Sequence, residues 1–289
     1  MSGEIRSQVR VLVFGAGGQL GSELRDACGA IGDGVTALTH ADCDLTQPGQ
    51  AREAIFAHRP DVVFNAAAYT RVDGAEKEEQ LAYRVNAAAV GEIGEAARAI
   101  GARVVHYSTD YVFDGNARDP IPEDAAPNPV NAYGRTKLAG EEALRDSGAP
   151  AYVVRTAWVY GRGHNFVRTV LRVTRERGVM RVVDDQRGAP TWAKDLARAS
   201  RRLIDAGAPA TYHLTNSGQC TWYELALKVV ELAGIDARIE ATSTADYPTP
   251  ARRPAYSVLA NNGWLRLGEP PLQPWTEALA MSLPEIIGV

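Results

Sequence analysis

From Val9 to Ser108 the chain alternates short, β-branched apolar runs with longer segments of helical period. Few folds accommodate that pattern. Strands that are apolar throughout must be buried on both faces, so repeated strand-helix units imply a parallel sheet with helices on either side. The spacing predicts strands at 9–14, 35–38, 61–65, 104–107 and 151–155, each followed by polar or Gly-containing turn residues. It predicts helices from Glu79 to Ile100, Ala-rich with Gly91 and Gly94 against it, and from Asn131 to Arg145. Past Trp158, residues such as Gly161, Gly163, Gly178, Pro190 and Pro209 break the pattern into shorter pieces. The expected class is therefore α/β: a Rossmann-like doubly wound parallel sheet over 1–158 and a smaller α/β unit over 159–289. A later strand and helix should return to the first sheet near 190–220. Tyr212-His213-Leu214, followed by a helix from Thr221 to Ala233, is the candidate for that return.

Composition removes several classes of function. Lys+Arg 31 against Asp+Glu 35 gives a formal net charge of -4, which takes away the general pull of phosphate backbones on basic proteins, so no nucleic-acid partner is expected. Cys28, Cys43 and Cys220 are odd in number, widely spaced and without a C-x-x-C pair. Neither a disulfide framework nor a zinc site is expected, and a reducing cytoplasm fits best. No apolar run reaches the roughly 18 residues of a membrane span, and Met1 to Gln8 is polar where a secretory signal would be apolar. The Pro-rich stretch from Thr242 to Leu272, with Tyr247, Tyr256 and Trp264 spaced through it, reads as irregular chain draped over the body.

The first predicted strand runs into Gly15-Ala16-Gly17-Gly18-Gln19-Leu20-Gly21, which spaces Gly15, Gly18 and Gly21 as G-x-x-G-x-x-G. At a strand-to-helix turn, glycines permit the tight bend and let backbone N–H groups approach a pyrophosphate, whose charge the helix N-terminus favours. A tight turn without a ligand is the bland alternative. The second strand ends in Thr39 and His40, where dinucleotide folds often carry an acidic ribose ligand. That permits NADPH without demanding it and leaves NADH open. Asp44-Leu45 either lines the adenine side or supplies a cap for a helix starting near Pro48. Asn65-Ala66-Ala67-Ala68 ends the third strand, where small side chains either leave room for a ligand or fill a crowded contact.

Tyr133-Gly134-Arg135-Thr136-Lys137 sets a phenol and an ammonium four residues apart, on one face of a helix. The chain has only four lysines, so the pairing stands out from composition. A nearby positive charge would lower the phenol pKa and let Tyr133 pass a proton at neutral pH, as carbonyl reduction requires; a surface pair is the alternative. The fourth strand runs into Ser108-Thr109-Asp110-Tyr111, which sets hydroxyls at the same edge, either to share a developing oxyanion with Tyr133 or merely to end the strand.

In this order, the glycine loop, the Asn-Ala-Ala-Ala segment, the Ser-Thr-Asp-Tyr-Val-Phe-Asp-Gly stretch and the Tyr-x-x-x-Lys pair resemble the extended short-chain dehydrogenase/reductases. Within them, HYSTDYVFDG (106–115), NAYGRTKLAGE (131–141), RTAWVYG (155–161), DDQRGAPT (184–191) and YPTPARRPAYSVL (247–259) resemble the dTDP-4-dehydrorhamnose reductase family over nearly the whole chain. The resemblance implies reduction of the C4 ketone of dTDP-4-dehydro-L-rhamnose by NADPH, or NADH, to dTDP-L-rhamnose. It implies cofactor contacts at Gly15, Gly18, Gln19, Leu20, Asp44, Leu45, Ala66, Ala67, Ala68, Tyr107, Tyr133 and Lys137. Tyr133, Lys137 and Thr109 become the catalytic residues, and Thr109, Asp110 and Trp158 meet the dTDP-sugar. Trp158 as a core residue behind the fifth strand is the alternative.

Arg252 and Arg253 sit in a Pro-flanked loop from which a guanidinium could reach a diphosphate. Gln186, Gly188 and Thr191 belong to one of the resembling strings without an assigned chemistry beyond lining the site. Some members of the family carry a carboxylate near Lys194-Asp195 that helps a divalent metal join two subunits. Lys194 cannot ligate a cation, although Glu23 could, so no metal is expected and the protein is a monomer or a homodimer. The competing readings are a ketoreductase for another dTDP-4-keto-6-deoxysugar, a dehydratase or epimerase, and a non-catalytic dinucleotide-binding regulatory subunit. Tyr111 stands where dehydratases typically carry a second carboxylate, and the intact Thr109, Tyr133 and Lys137 argue for an enzyme.

Overall fold

The computed structural model describes residues 8–288; the polar start at 1–7 lies outside the described residues. Six strands form one parallel sheet in the order Thr211–His213, Ala151–Thr156, Arg103–Thr109, Val62–Asn65, Arg10–Phe14 and Gly34–Leu38. Alternation along the strands explains why helices cover both faces. Leu12, Phe14, Val63 and Val104 pack with helices Gln50–His58, Ala89–Ile100 and Ala132–Asp146 on one side. Val11, Val13, Val62, Phe64 and Val105 pack with helices Gln19–Ala30 and Ala193–Ala206 on the other. The helix that joins the strand at Thr211–His213 in covering this sheet is thus Ala193–Ala206. The helix expected from Thr221 to Ala233 forms at Trp222–Leu232, started by a Thr221/Glu224 capping box, but it packs in a separate core with Phe166–Arg177 and Trp275–Ile287.

The Ala-rich segment predicted from Glu79 to Ile100 is helical throughout but not uniform. It opens with Glu79–Tyr83, widens into a π-helical turn at Arg84–Ala88 and closes as Ala89–Ile100. Its glycine and the one opposite serve close packing. A Cβ on Gly94 would meet Ser147 Oγ at 2.3 Å, and one on Gly140 would meet the Asn86 carbonyl oxygen at 2.0 Å. Asn86 is fully buried; its side chain exchanges hydrogen bonds with the Tyr69 backbone and donates to Thr136, so this turn holds the loop after the third strand against the Tyr133 helix.

Past the fifth predicted strand, the described residues form three short strand pairs: Val179–Val183 with Arg238–Thr242, Arg187–Gly188 with Cys220–Thr221, and Val159–Tyr160 with Thr191–Trp192. The Pro-rich chain after Thr242 is largely irregular, as its composition requires. It is stitched to the body by the Ile121–Leu259 and Arg187–Tyr256 bridges before the short helix Asn262–Arg266.

Candidate active site

A cleft of about 1190 Å³ opens along the carboxyl edge of the sheet, where open parallel sheets place their ligands because strand order reverses there. Register explains what meets at this edge. Phe14 pairs with Asn65, and Asn65 with His106, so the glycine loop, the Ala66–Ala68 segment and the end of the fourth strand emerge side by side. Gly15 takes φ +75°, and a Cβ there would lie 2.7 Å from the Ala67 nitrogen. The glycine and the small residues opposite it are therefore one steric device: two backbones pass too closely for a side chain on Gly15. Gly18 leads the helix Gln19–Ala30 with no side-chain cap, which leaves the first N–H groups of the helix facing the cleft as an anion site.

Gly15, Gly18, Gln19, Leu20, Asp44, Leu45, Ala66, Ala67, Ala68 and Tyr107 all line this cleft, together with Thr109, Asp110, Tyr133, Lys137 and Trp158. Asp44 is not a helix cap. Its Oδ1 accepts from the Thr46 N–H, and the helix Gln50–His58 is led instead by Gly49. At the end of the second strand, the Thr39 N–H and hydroxyl both donate to Asp42 Oδ2 at 2.9 and 2.7 Å. A carboxylate thus folds back beside the strand end, where the local spacing offered only Thr39 and His40.

On the Tyr133 side of the cleft, Thr109, Asp110 and Lys137 are buried and Tyr133 is partly buried. Burial and the neighbouring Asp110 carboxylate push the Tyr133 phenol well above its usual pKa, against a smaller lowering by the Thr109 hydroxyl. This corrects the expectation that Lys137 lowers it. The Lys137 ammonium is turned down into the sheet, donating to the Tyr107 carbonyl oxygen at 2.5 Å and lying 3.3 Å from His106 Nε2. Its own pKa falls to about 8 because burial disfavours the charge more than Glu141 supports it. Asp110 is driven up to about 6 by burial, with hydrogen bonds opposing the rise. Its Oδ1 accepts the Thr109 hydroxyl at 2.9 Å, and the Thr109 oxygen in turn accepts the Tyr111 N–H at 3.1 Å. Under this floor, Glu141 accepts from Arg155 Nε and Nη2 at 3.0 and 2.7 Å and from the Ser108 hydroxyl at 2.5 Å, all buried.

On the opposite wall Trp158 adopts φ +47°, a conformation that costs a bulky residue energy and persists only when its surroundings enforce it. They do. Its ring stacks on Trp222 with centroids 3.5 Å apart and planes within 9°, and lies so close to Gly188 that a Cβ there would be 2.4 Å from Trp158 Cε2. Gly188 therefore supports the wall from behind, Gln186 donates to Thr244, and Thr191 is buried beyond it; these three do not line the cleft. Arg253 does, half-buried, with its guanidinium paired to both oxygens of Asp73. Arg252 is exposed. At the place where some members of the resembling family carry a metal-bridging carboxylate, Lys194 pairs with Glu285 at 2.5 Å and buried Glu23 pairs with Arg162 at 3.2 Å. No cluster of metal-ligating residues occurs among the described residues, nor is any helix there long and apolar enough to cross a membrane.

Comparison with known proteins shows the family. The family model described as the RmlD substrate binding domain matches residues 9–287. The chain belongs to this family. Among its relatives, a probable dTDP-4,6-dihydroxy-2-methyloxan-3-one 4-ketoreductase of Streptomyces antibioticus is 44% identical, covering 96% of each chain. A dTDP-4-dehydrorhamnose reductase of Mycolicibacterium smegmatis is 42% identical over 96% of this chain and 86% of its own length. The structure of the Bacillus anthracis dTDP-4-dehydrorhamnose reductase in complex with NADP superposes with a TM-score of 0.93 at 35% identity, covering 96% and 99% of the two chains.

Against this family background, the sequence did not point to Trp222 on the cleft wall, to Asp73 as the partner of Arg253, or to His106 buried beneath the cleft. Trp222 follows a readable capping box, Thr221 to Glu224, but its helix was assigned to the wrong core. His106 and Ser108 are polar residues at alternate positions of an otherwise apolar strand, a signal that the strand's alternation carries.

Proposed function

We propose that this chain is an NAD(P)H-dependent oxidoreductase that reduces the C4 ketone of dTDP-4-dehydro-L-rhamnose to give dTDP-L-rhamnose. The observation that carries the reading is the convergence of Thr109, Tyr133 and Lys137 in one cleft that also takes in an uncapped helix N-terminus behind a glycine turn. Those residues fit a reduced dinucleotide. The helix N-terminus and the close-approach glycines would take the pyrophosphate, Asp44 and Leu45 would border the adenosine end, and Lys137, on the Tyr133 side of the cleft, would hold the nicotinamide ribose. NADPH is the proposed cofactor, with NADH an alternative that the carboxylate beside Thr39 favours. When bound, the reduced nicotinamide supplies the hydride.

The chain's own residues do the rest. Tyr133, with its pKa raised, stays protonated at neutral pH and gives its proton to the ketone oxygen as negative charge develops there. Thr109 turns its hydroxyl from Asp110 toward the same oxygen and shares that charge. Asp110 accepts from the sugar hydroxyls, Trp158 forms the apolar wall behind them, and Arg253 reaches the substrate diphosphate. The division of labour is a cofactor domain over 1–158, completed by the returning helix and strand, and a substrate domain over most of 159–289. The protein works on a small molecule in the cytoplasm, without metal, as a monomer or homodimer.

A second reading, reduction of a different dTDP-4-keto-6-deoxysugar, is favoured by the 44% identity to the Streptomyces antibioticus ketoreductase. Incubation with dTDP-4-dehydro-L-rhamnose and, separately, with its D-gluco epimer, each with NADPH and NADH, separates the two. Faster turnover of the first to dTDP-L-rhamnose, identified by NMR, supports the rhamnose reading; faster turnover of the second replaces it.

A further inference from the structure

Below the Tyr133–Lys137 pair lies a buried histidine that the reaction above leaves unused. His106 is 0% exposed, with Nε2 3.3 Å from Lys137 Nζ and Nδ1 3.2 Å from Asn65 Nδ2. We propose that His106 is a positioning residue: its Nε2 accepts one ammonium proton of Lys137, the Tyr107 carbonyl accepts a second, and the third is thereby directed into the cleft toward the ribose of the cofactor. The assignment of that third proton rests on the oxidoreductase reading; the placement of the first two does not.

Proton accounting supports it. An ammonium has three donors and a neutral imidazole one acceptor nitrogen. Burial, and then the Lys137 charge, hold His106 well below its usual pKa, so the ring is neutral. With Lys137 donating to Nε2, the ring's proton must sit on Nδ1 and needs an acceptor. The Asn65 Oδ1 is buried without a hydrogen-bond partner. Turning that amide end for end gives Oδ1 the Nδ1 proton to accept and leaves Nε2 free for Lys137. A chain of three buried side chains from adjacent strands and the Tyr133 helix then fixes the ammonium in one orientation.

Other groups do not duplicate this support. Glu141, one turn along the same helix, raises the Lys137 pKa but is taken by Arg155 and Ser108. Tyr133, one turn earlier, and Asp110 beside it face the cleft. His106 thus stabilises the charged amine with a dipole and without placing a second counter-charge next to Tyr133.

The test compares His106→Leu and His106→Gln with the wild type. Gln keeps an acceptor near the Nε2 position; Leu does not. The readouts are the pH dependence of NADPH affinity, by nicotinamide fluorescence, the pH profile of kcat/KM, and the tautomer of His106 by ¹⁵N NMR of the free protein. Expected are Nδ1 protonated and Nε2 bare in the wild type, and in His106→Leu an alkaline limb displaced downward by about one pH unit, equivalent to about tenfold weaker binding above it. The Gln variant restores most of that loss. An Nε2–H tautomer, an unmoved limb in the Leu variant, or a Gln variant no better than Leu overturns the proposal. Should the Leu variant not fold, the Gln profile and the tautomer decide. Should the sugar not be reduced, cofactor affinity and tautomer still report on His106 independently.

Discussion

Alanine at Gly21 sets two magnitudes against each other. Gly21 lies in the first turn of the helix Gln19–Ala30, where alanine's helix propensity is worth about 0.5–1 kcal/mol over glycine. Its Cβ, however, would stand 2.1 Å from the Gly15 carbonyl oxygen and 2.8 Å from Ala16 Cα, well inside the roughly 3.5 Å of ordinary carbon contact. The obstacle is backbone, so no side-chain rotation relieves it. Overpacking of this kind costs about 1–3 kcal/mol or more, and that outweighs the propensity gain. The same carbonyl accepts the Gly18 N–H at 2.9 Å, so relief of the clash opens the turn that faces the cofactor. The expected result is a net loss of about 1–2 kcal/mol in urea unfolding, with at least about tenfold weaker NADPH binding by fluorescence titration. Gly29 is the internal control: it occupies the same helix with nothing within 4 Å of its would-be Cβ, and Gly29→Ala should raise stability by up to about 1 kcal/mol with unchanged affinity. A Gly21→Ala protein as stable as the wild type, binding NADPH equally well, would refute the steric argument.

Three further substitutions probe the buried charges and the aromatic wall. Arg155→Leu strands Glu141, 0% exposed, without its partner, and should cost about 3–5 kcal/mol in chemical denaturation, much of it recovered when Glu141→Leu is added. Asp110 has its pKa raised from 3.8 to about 6 by burial, so the folded state holds a proton that the unfolded state has lost. Its contribution to stability is greatest below pH ~4 and declines as pH rises to ~6, with the full penalty of the buried charge above that. The stability difference between Asp110→Asn and wild type should accordingly grow from pH ~4 to ~6 and then level off at about 1–3 kcal/mol; a pH-independent difference contradicts the assignment. Trp222→Ala removes the ring that holds Trp158 in its left-handed backbone conformation, and should raise KM for the nucleotide sugar several-fold through loss of about 0.5–1.5 kcal/mol of ring stacking, while NADPH affinity stays unchanged.

Much of this molecule is legible in its sequence because the sheet is buried on both faces. Apolar runs at 9–14, 61–65 and 151–155 have no other way to hide both sets of side chains, and the strands form within one or two residues of those positions. The helix start at Asn131 is legible for a local reason, since its side chain accepts the Gly134 N–H and caps the first turn. Long-range choices are not legible in this way. Two amphipathic segments, Ala193–Ala206 and Trp222–Leu232, follow one another, and only the placement of strand Thr211–His213 against Ala151–Thr156 decides which of them covers the sheet. The π-helical turn at Arg84–Ala88 depends on Asn86 finding Tyr69 and Thr136 from other elements. The direction of Lys137 is of the same kind. Spacing places it one turn from Tyr133, but the acceptors that turn it, Tyr107 and His106, come from a strand about 30 residues earlier.

The most direct test of the account is a paired measurement on wild type and Tyr133→Phe: oxidation of NADPH on addition of dTDP-4-dehydro-L-rhamnose, with the NADPH dissociation constant determined on the same samples. Expected are rapid oxidation to dTDP-L-rhamnose by the wild type, a loss of at least about 10²-fold in kcat for Tyr133→Phe, and a dissociation constant that changes little. A Tyr133→Phe protein that keeps the wild-type rate would contradict the proton-donor role on which the mechanism depends.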